Sequence, residues 1–147
     1  INMADGYSRL AGGGRVGVGA MQYGPGVENA FGGIAQAYAD SVPILLLPSA
    51  VERRRAGVHP NFSATQNYQG VTKWVEQLNM ARRIPEMMRH AFANLRTGHV
   101  GPVMLEVPTD VAGEEIDSFL WWDRRRELPL YPHVEAILRR LDGIEPE

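Results

Sequence analysis

Between Arg15 and Pro48 the chain runs strand, turn, helix, strand, an order that few folds satisfy. Val16, Val18 and Ala20 alternate with Gly17 and Gly19, the period-two pattern of a strand. Small glycines there suit a central strand approached closely by other backbone or by a ligand. Gly24-Pro25-Gly26 then marks a turn and opens a helix predicted from about Val27 to Ala39. Ala30, Phe31, Ile34, Ala37 and Tyr38 recur at three- and four-residue spacings, so that helix carries an apolar stripe for the sheet. Asp40 and Ser41 end it. Pro43 to Pro48 supplies Ile44-Leu45-Leu46-Leu47, an all-apolar strand of the kind covered on both faces in a parallel sheet. The strand-helix-strand order is a crossover unit, and it predicts the α/β class: a three-layer sandwich with a mainly parallel central sheet and helices on both faces.

The flanking segments extend this pattern. Met3 to Leu10 reads as a helix stopped by Gly12-Gly13-Gly14. Ser49 to Gly70 is a long polar segment containing Arg53-Arg54-Arg55 and His59-Pro60; loops of this length inside a domain are usually functional or mobile. Val71 to Val75 reads as a short strand. Ile84 to Arg96 is a helix with Pro85 in its first turn, Gly98 as its stop, and an apolar face of Met87, Met88, Ala91, Phe92 and Leu95. Val103 to Val107 gives another strand, closed by Pro108. Past Asp110 the periodicity fades, so residues 1–112 read as one domain and 113–132 as a linker containing Trp121-Trp122 and Arg124-Arg125-Arg126. Val134, Ile137, Leu138 and Leu141 return to helical spacing, and 133–147 reads as the start of a following middle domain.

Composition excludes several functions. The 15 basic and 17 acidic residues nearly cancel, leaving a net charge of -2, so the basic footprint of a nucleic-acid binder is missing. Without cysteine there are no disulfides, thiolate nucleophiles or thiolate metal sites, which points to the cytoplasm. The apolar stretch Val42 to Ala50 is far too short to cross a bilayer. His59, His90, His99 and His133 are scattered without metal-ligand spacing and read as surface or capping residues. The chain opens at Ile1 with neither methionine nor signal segment, and is expected to be a piece of something longer.

Several residues admit a functional and an ordinary reading. Gly24-Pro25-Gly26 is either a tight turn or a backbone shelf that a flat ligand approaches without a Cβ in the way. Gln22 and Tyr23 precede it at the carboxyl end of a strand, where open α/β sheets place ligands; either is otherwise a packed polar residue. Asn29, in the first helical turn, either caps backbone or faces the ligand. Phe62 and Gln66 line an entrance or are plain surface. Arg53-Arg54-Arg55 attracts an anion or is solvated, and Trp121-Trp122 suits packing against another domain or subunit.

Four stretches in order then resemble one family: Met3-Ala4-Asp5-Gly6-Tyr7-Ser8-Arg9, Gly24-Pro25-Gly26-Val27-Glu28-Asn29-Ala30, Ala37-Tyr38-Ala39-Asp40-Ser41-Val42-Pro43-Ile44, and Gly101 to Asp110. Thr72-Lys73-Trp74 adds a fifth. Together they resemble the pyrimidine-binding, N-terminal domain of thiamine-diphosphate-dependent enzymes of the acetolactate synthase and pyruvate oxidase group. The resemblance implies thiamine diphosphate and Mg2+ as cofactors, a 2-oxo acid substrate, and a homodimer or homotetramer with active sites between subunits. It implies Gly24, Pro25, Gly26 and Asn29 at the cofactor, with Gln22, Tyr23, Phe62 and Gln66 lining the substrate side. Whether FAD is bound is left open, since members that bind it do so largely through the middle domain.

The resemblance also implies what these residues lack. The family's activating glutamate lies about two helical turns upstream of Asp5-Gly6-Tyr7, which places it before Ile1, so no catalytic residue is assigned here. The Gly-Asp-Gly motif of the diphosphate site, with its metal ligands, occurs nowhere in the 147 residues, so no metal ligand is assigned and the chain alone is expected to be inactive. Where acetolactate synthases carry Phe-Gln-Glu, this chain reads Phe62-Ser63-Ala64, which leaves the individual substrate open. Two other functions compete. One is a non-catalytic dimerisation or regulatory domain. The other is a nicotinamide-dependent, Rossmann-type domain, for which Gly24-x-Gly26-x-x-Asn29 lacks the third glycine and the next strand lacks a ribose-binding carboxylate.

Overall fold

The apolar run Ile44–Leu47 lies inside a four-stranded sheet, with neighbours on both sides. A computed structural model describes residues 1–12 and 14–116. Strands β1 (Gly17–Met21), β2 (Ile44–Ala50), β3 (Trp74–Gln77) and β4 (Val103–Pro108) stand in the order β1-β2-β4-β3, every neighbouring pair parallel. The helices are α1 (Asn2–Leu10), α2 (Pro25–Asn29), α3 (Phe31–Ala39), α4 (Ala64–Asn67), α5 (Ile84–Arg96) and α6 (Thr109–Ala112).

Side chains alternate across the pleat, so β2 and β4 feed two cores. Ile44, Leu46 and Met104 pack with Ala4 of α1, Ile34 and Ala37 of α3, and Ala64 of α4. Leu45 and Val103 pack with Ala91 and Leu95 of α5, while Leu105 meets Met87. Helices therefore cover both faces of a parallel sheet, the three-layer α/β architecture. Each buried leucine or isoleucine contributes roughly 1.5–3 kcal/mol of transfer free energy, which makes this double-sided core the main source of stability. Glu114 extends the unit beyond α6 by accepting from Arg53 at 2.5 Å and from the Ala81 N–H at 3.0 Å. The parts of the assigned linker and following domain beyond Ile116, including His133 and the Trp121-Trp122 pair, lie outside the described residues. Among the described residues no helix is long and apolar enough to cross a membrane.

Four local expectations need correction. Strand β1 is not central: among the described residues it pairs only with β2, and its small residues answer to α1, whose Ala4 backbone presses on Gly17. The predicted single helix is two. The Val27 carbonyl accepts the Ala30 N–H at 3.3 Å and also the Tyr68 hydroxyl, which breaks the regular ladder and divides α2 from α3. The apolar stripe is accordingly narrower: Ile34 and Ala37 are buried, but Phe31 and Tyr38 stay 42% and 43% exposed. The short strand sits at Trp74–Gln77 rather than at Val71 to Val75, because Val71 and Thr72 are spent closing the turn onto Tyr68.

Candidate functional site

The carboxyl edge of the sheet is where β1 turns into α2. The Tyr23 N–H donates to Ser49 Oγ at 2.8 Å, and its hydroxyl donates to Asn61 Oδ1 at 3.0 Å, so this residue ties the turn to β2 and to the long loop. Gly24 follows with φ +72 and ψ -121, a conformation that L side chains rarely adopt. A Cβ built there meets nothing within 4 Å, so glycine is required by the backbone and the space beside it is open. Pro25 fixes φ at the first position of α2. At Gly26 a Cβ would lie 3.1 Å from Gln22 Cβ, so chain approaches chain there. The turn closes with Val27 N–H to the Gln22 carbonyl at 3.0 Å and Glu28 N–H to the Gly24 carbonyl at 2.9 Å.

Behind this shelf stands Tyr68, fully buried, donating its hydroxyl to the Val27 carbonyl. Burial, helped by the charge of Glu28, pushes its phenol up to about 12, so it remains a donor throughout the neutral range. Its ring lies 5.2 Å from that of Phe31 and meets Phe62 edge-on at 6.4 Å. One aromatic group therefore supports both the Gly24–Gly26 shelf and Phe62.

Phe62 and Gln66 share a cleft of about 270 Å3 with His59, Gln77 and Glu106, between the long loop and the ends of β2, β3 and β4. Gln22 is placed apart, exposed in a shallower groove with Ala20, Leu47 and Thr109. Asn29 is exposed at the end of α2, beyond the shelf. The structure thus groups Phe62 with Gln66, links them to Tyr23 through Asn61, and separates Gln22 from them.

The arginine triplet is largely committed to structure. Arg53 donates to Asp110 at 2.7 Å, to Glu114, and to the Asn79 carbonyl at 2.8 Å, pinning the loop to α6; Arg54 pairs with Glu52. Hydrogen bonding from Arg53 holds the Asp110 carboxyl below its ordinary value. Among the described residues no three His, Asp or Glu side chains converge as a metal site. Sequence reasoning passed over Ser49, Asn61, Tyr68 and Glu106. Only Glu106 carried a signal, a lone charge inside an apolar strand.

Residues 1–80 match the family model described as thiamine pyrophosphate enzyme, N-terminal TPP binding domain. The chain belongs to this family. Its relatives include a probable acetolactate synthase large subunit of Methanocaldococcus jannaschii, 38% identical over 78% of the chain. The acetolactate synthase large subunit of Lactococcus lactis is 35% identical over 90%, and isozyme 3 of the Escherichia coli enzyme is 33% identical over 76%. The matched part spans only 19%, 23% and 19% of those relatives' own lengths. The chain is thus the pyrimidine-binding domain of a thiamine-pyrophosphate enzyme; at Gly24, itself buried, a Cβ would meet no atom within 4 Å, which is compatible with a flat ring approaching the turn. Neither the nicotinamide nor the non-catalytic reading is favoured.

Proposed function

We propose that this domain supplies the pyrimidine-gripping half of a thiamine-diphosphate active site acting on 2-oxo acids, in acetolactate-synthase-like carboligation or decarboxylation. The observation that carries the proposal is the bare turn Gly24–Gly26 at the carboxyl end of β1, its backbone held by Ser49 and Tyr68. Gly24, Pro25 and Gly26 would lie against the ring, with Asn29 at the far end of α2. Phe62 and Gln66 form the substrate wall, and the Phe62 ring keeps water from that side. Tyr23 bridges shelf and wall. Gln22, on the separate groove, faces the substrate only if the other half of the site reaches that side of the sheet.

When bound, the cofactor supplies a thiazolium that holds the electron pair released as carbon dioxide leaves. The chain's part is to present a rigid surface, so that ring and reacting carbon are positioned before chemistry begins. Mg2+ and the diphosphate are assigned to a separate domain, contributed by a partner copy in a homodimer or homotetramer, and the complete enzyme is read as a cytoplasmic lyase or transferase.

The test compares two preparations with thiamine diphosphate, Mg2+ and pyruvate, following carbon dioxide release and product. The full-length protein is expected to turn over, and the 147-residue chain alone is expected to show nothing above background. Turnover by the chain alone would refute the division between domains. A full-length protein inert toward a panel of 2-oxo acids would refute the substrate class.

A further inference from the structure

Glu106 is a carboxylate in a strand that is otherwise apolar at every buried position. Strand β4 reads Val103-Met104-Leu105-Glu106-Val107-Pro108, and Glu106 is 2% exposed, the same as Leu105 before it. Its Oε1 accepts the Ala64 N–H at 3.0 Å; its Oε2 accepts the Thr65 hydroxyl at 2.5 Å and the Gln77 side-chain amide at 3.0 Å. All three donors are neutral, and among the described residues no lysine, arginine or histidine forms an ion pair with it. Burying such a group costs more than burying an apolar side chain of similar size, so packing alone gives no reason for it.

What the carboxylate gathers is specific. Gln77 is its register partner on β3. Ala64 and Thr65 begin α4, immediately between Phe62 and Gln66 in the cleft that Glu106 also lines. Ser63 caps the same turn by accepting the Gln66 N–H at 3.3 Å. A carboxylate is acceptor-only and takes all three donors at once, whereas an amide in either orientation turns its N–H2 toward at least one of them.

We infer that Glu106 is a positioning residue: by collecting Ala64, Thr65 and Gln77 on one carboxylate it fixes Phe62 and Gln66 as the cleft wall, and so sets how a small 2-oxo acid fits there. This rests on the proposed reading of that wall as the substrate side. It acts through the loop and touches no reacting atom.

The experiment compares the full-length protein with Glu106→Gln and Thr65→Val by amide hydrogen exchange over residues 61–68, pyruvate kinetics and thiamine-diphosphate titration. Glu106→Gln sets an N–H2 against at least one of these donors, so exchange over 61–68 and the KM for pyruvate are both expected to rise on the order of tenfold. The kcat should fall less than KM rises, and cofactor affinity should stay within about twofold, since the Gly24 shelf is held by other bonds. Thr65→Val removes one donor and should move the same quantities in the same direction by less. If Glu106→Gln does not fold, Thr65→Val decides the matter. Unchanged exchange over 61–68, a rise shared equally by β2 and α5, or a loss of cofactor affinity with pyruvate KM unmoved would each overturn the inference. Should the full-length protein bind no thiamine diphosphate, the functional reading fails, while the exchange data still decide whether Glu106 holds the loop.

Discussion

Replacing Gly17 by alanine is expected to destabilise the domain by about 3–5 kcal/mol, a large part of the roughly 5–15 kcal/mol typical of a domain. The added Cβ would stand 2.1 Å from the Ala4 carbonyl oxygen and 2.7 Å from its C and Cα. These are backbone atoms, which cannot rotate away. Either α1 lifts from the sheet or β1 leaves β2. Both movements break a buried relay in which the Gly17 N–H donates to Ser8 Oγ at 2.8 Å and Ser8 donates to the Pro43 carbonyl at 2.7 Å. Overpacking and stranded polar groups therefore add. Chemical denaturation measures the effect, with Gly19→Ala as control: there the Cβ meets first the end of the Ile1 side chain at 3.1 Å, which can move aside. A Gly17→Ala protein as stable as its parent would show that α1 does not pack on β1 in this way.

The second large effect belongs to Gly24→Val. A branched side chain at φ +72 costs on the order of 1–3 kcal/mol in backbone strain, but its Cβ meets no atom within 4 Å, so the domain should remain folded. The new side chain occupies the space left open beside the shelf. Thiamine-diphosphate affinity of the full-length protein is expected to fall on the order of 100-fold, equivalent to about 2.7 kcal/mol. Calorimetric titration reads the affinity, and far-ultraviolet circular dichroism confirms that the fold is kept. Undiminished binding would remove the shelf from the cofactor site.

These two glycines show how far the residues alone carry the reading. The alternation around Gly17 announced a close approach, but its source, the Ala4 backbone, emerges only when α1 folds back onto β1. The run Ile44–Leu47 and the turn before α2 sufficed for a parallel α/β sheet, because a strand apolar on both sides needs layers on both faces. Helix α5 was legible to its ends, since Pro85 and Gly98 punctuate a clean stripe. The break at Ala30 was not, because its cause is the hydroxyl of Tyr68, remote in the chain and set in a polar stretch that gives no hint of burial. The site divides likewise. The turn at Gly24–Gly26 is a local motif and could be read from three residues. The cleft wall depends on Asn61, Tyr68 and Glu106 meeting across the sheet edge, and no local spacing encodes that meeting.

The most direct measurement is a crystal structure of the full-length protein with thiamine diphosphate and Mg2+ bound. The expected result is an aminopyrimidine ring lying on the backbone of Gly24–Gly26, beside the wall formed by Phe62 and Gln66. A ring seated on some other segment, with Gly24–Gly26 turned to solvent, would contradict the central claim.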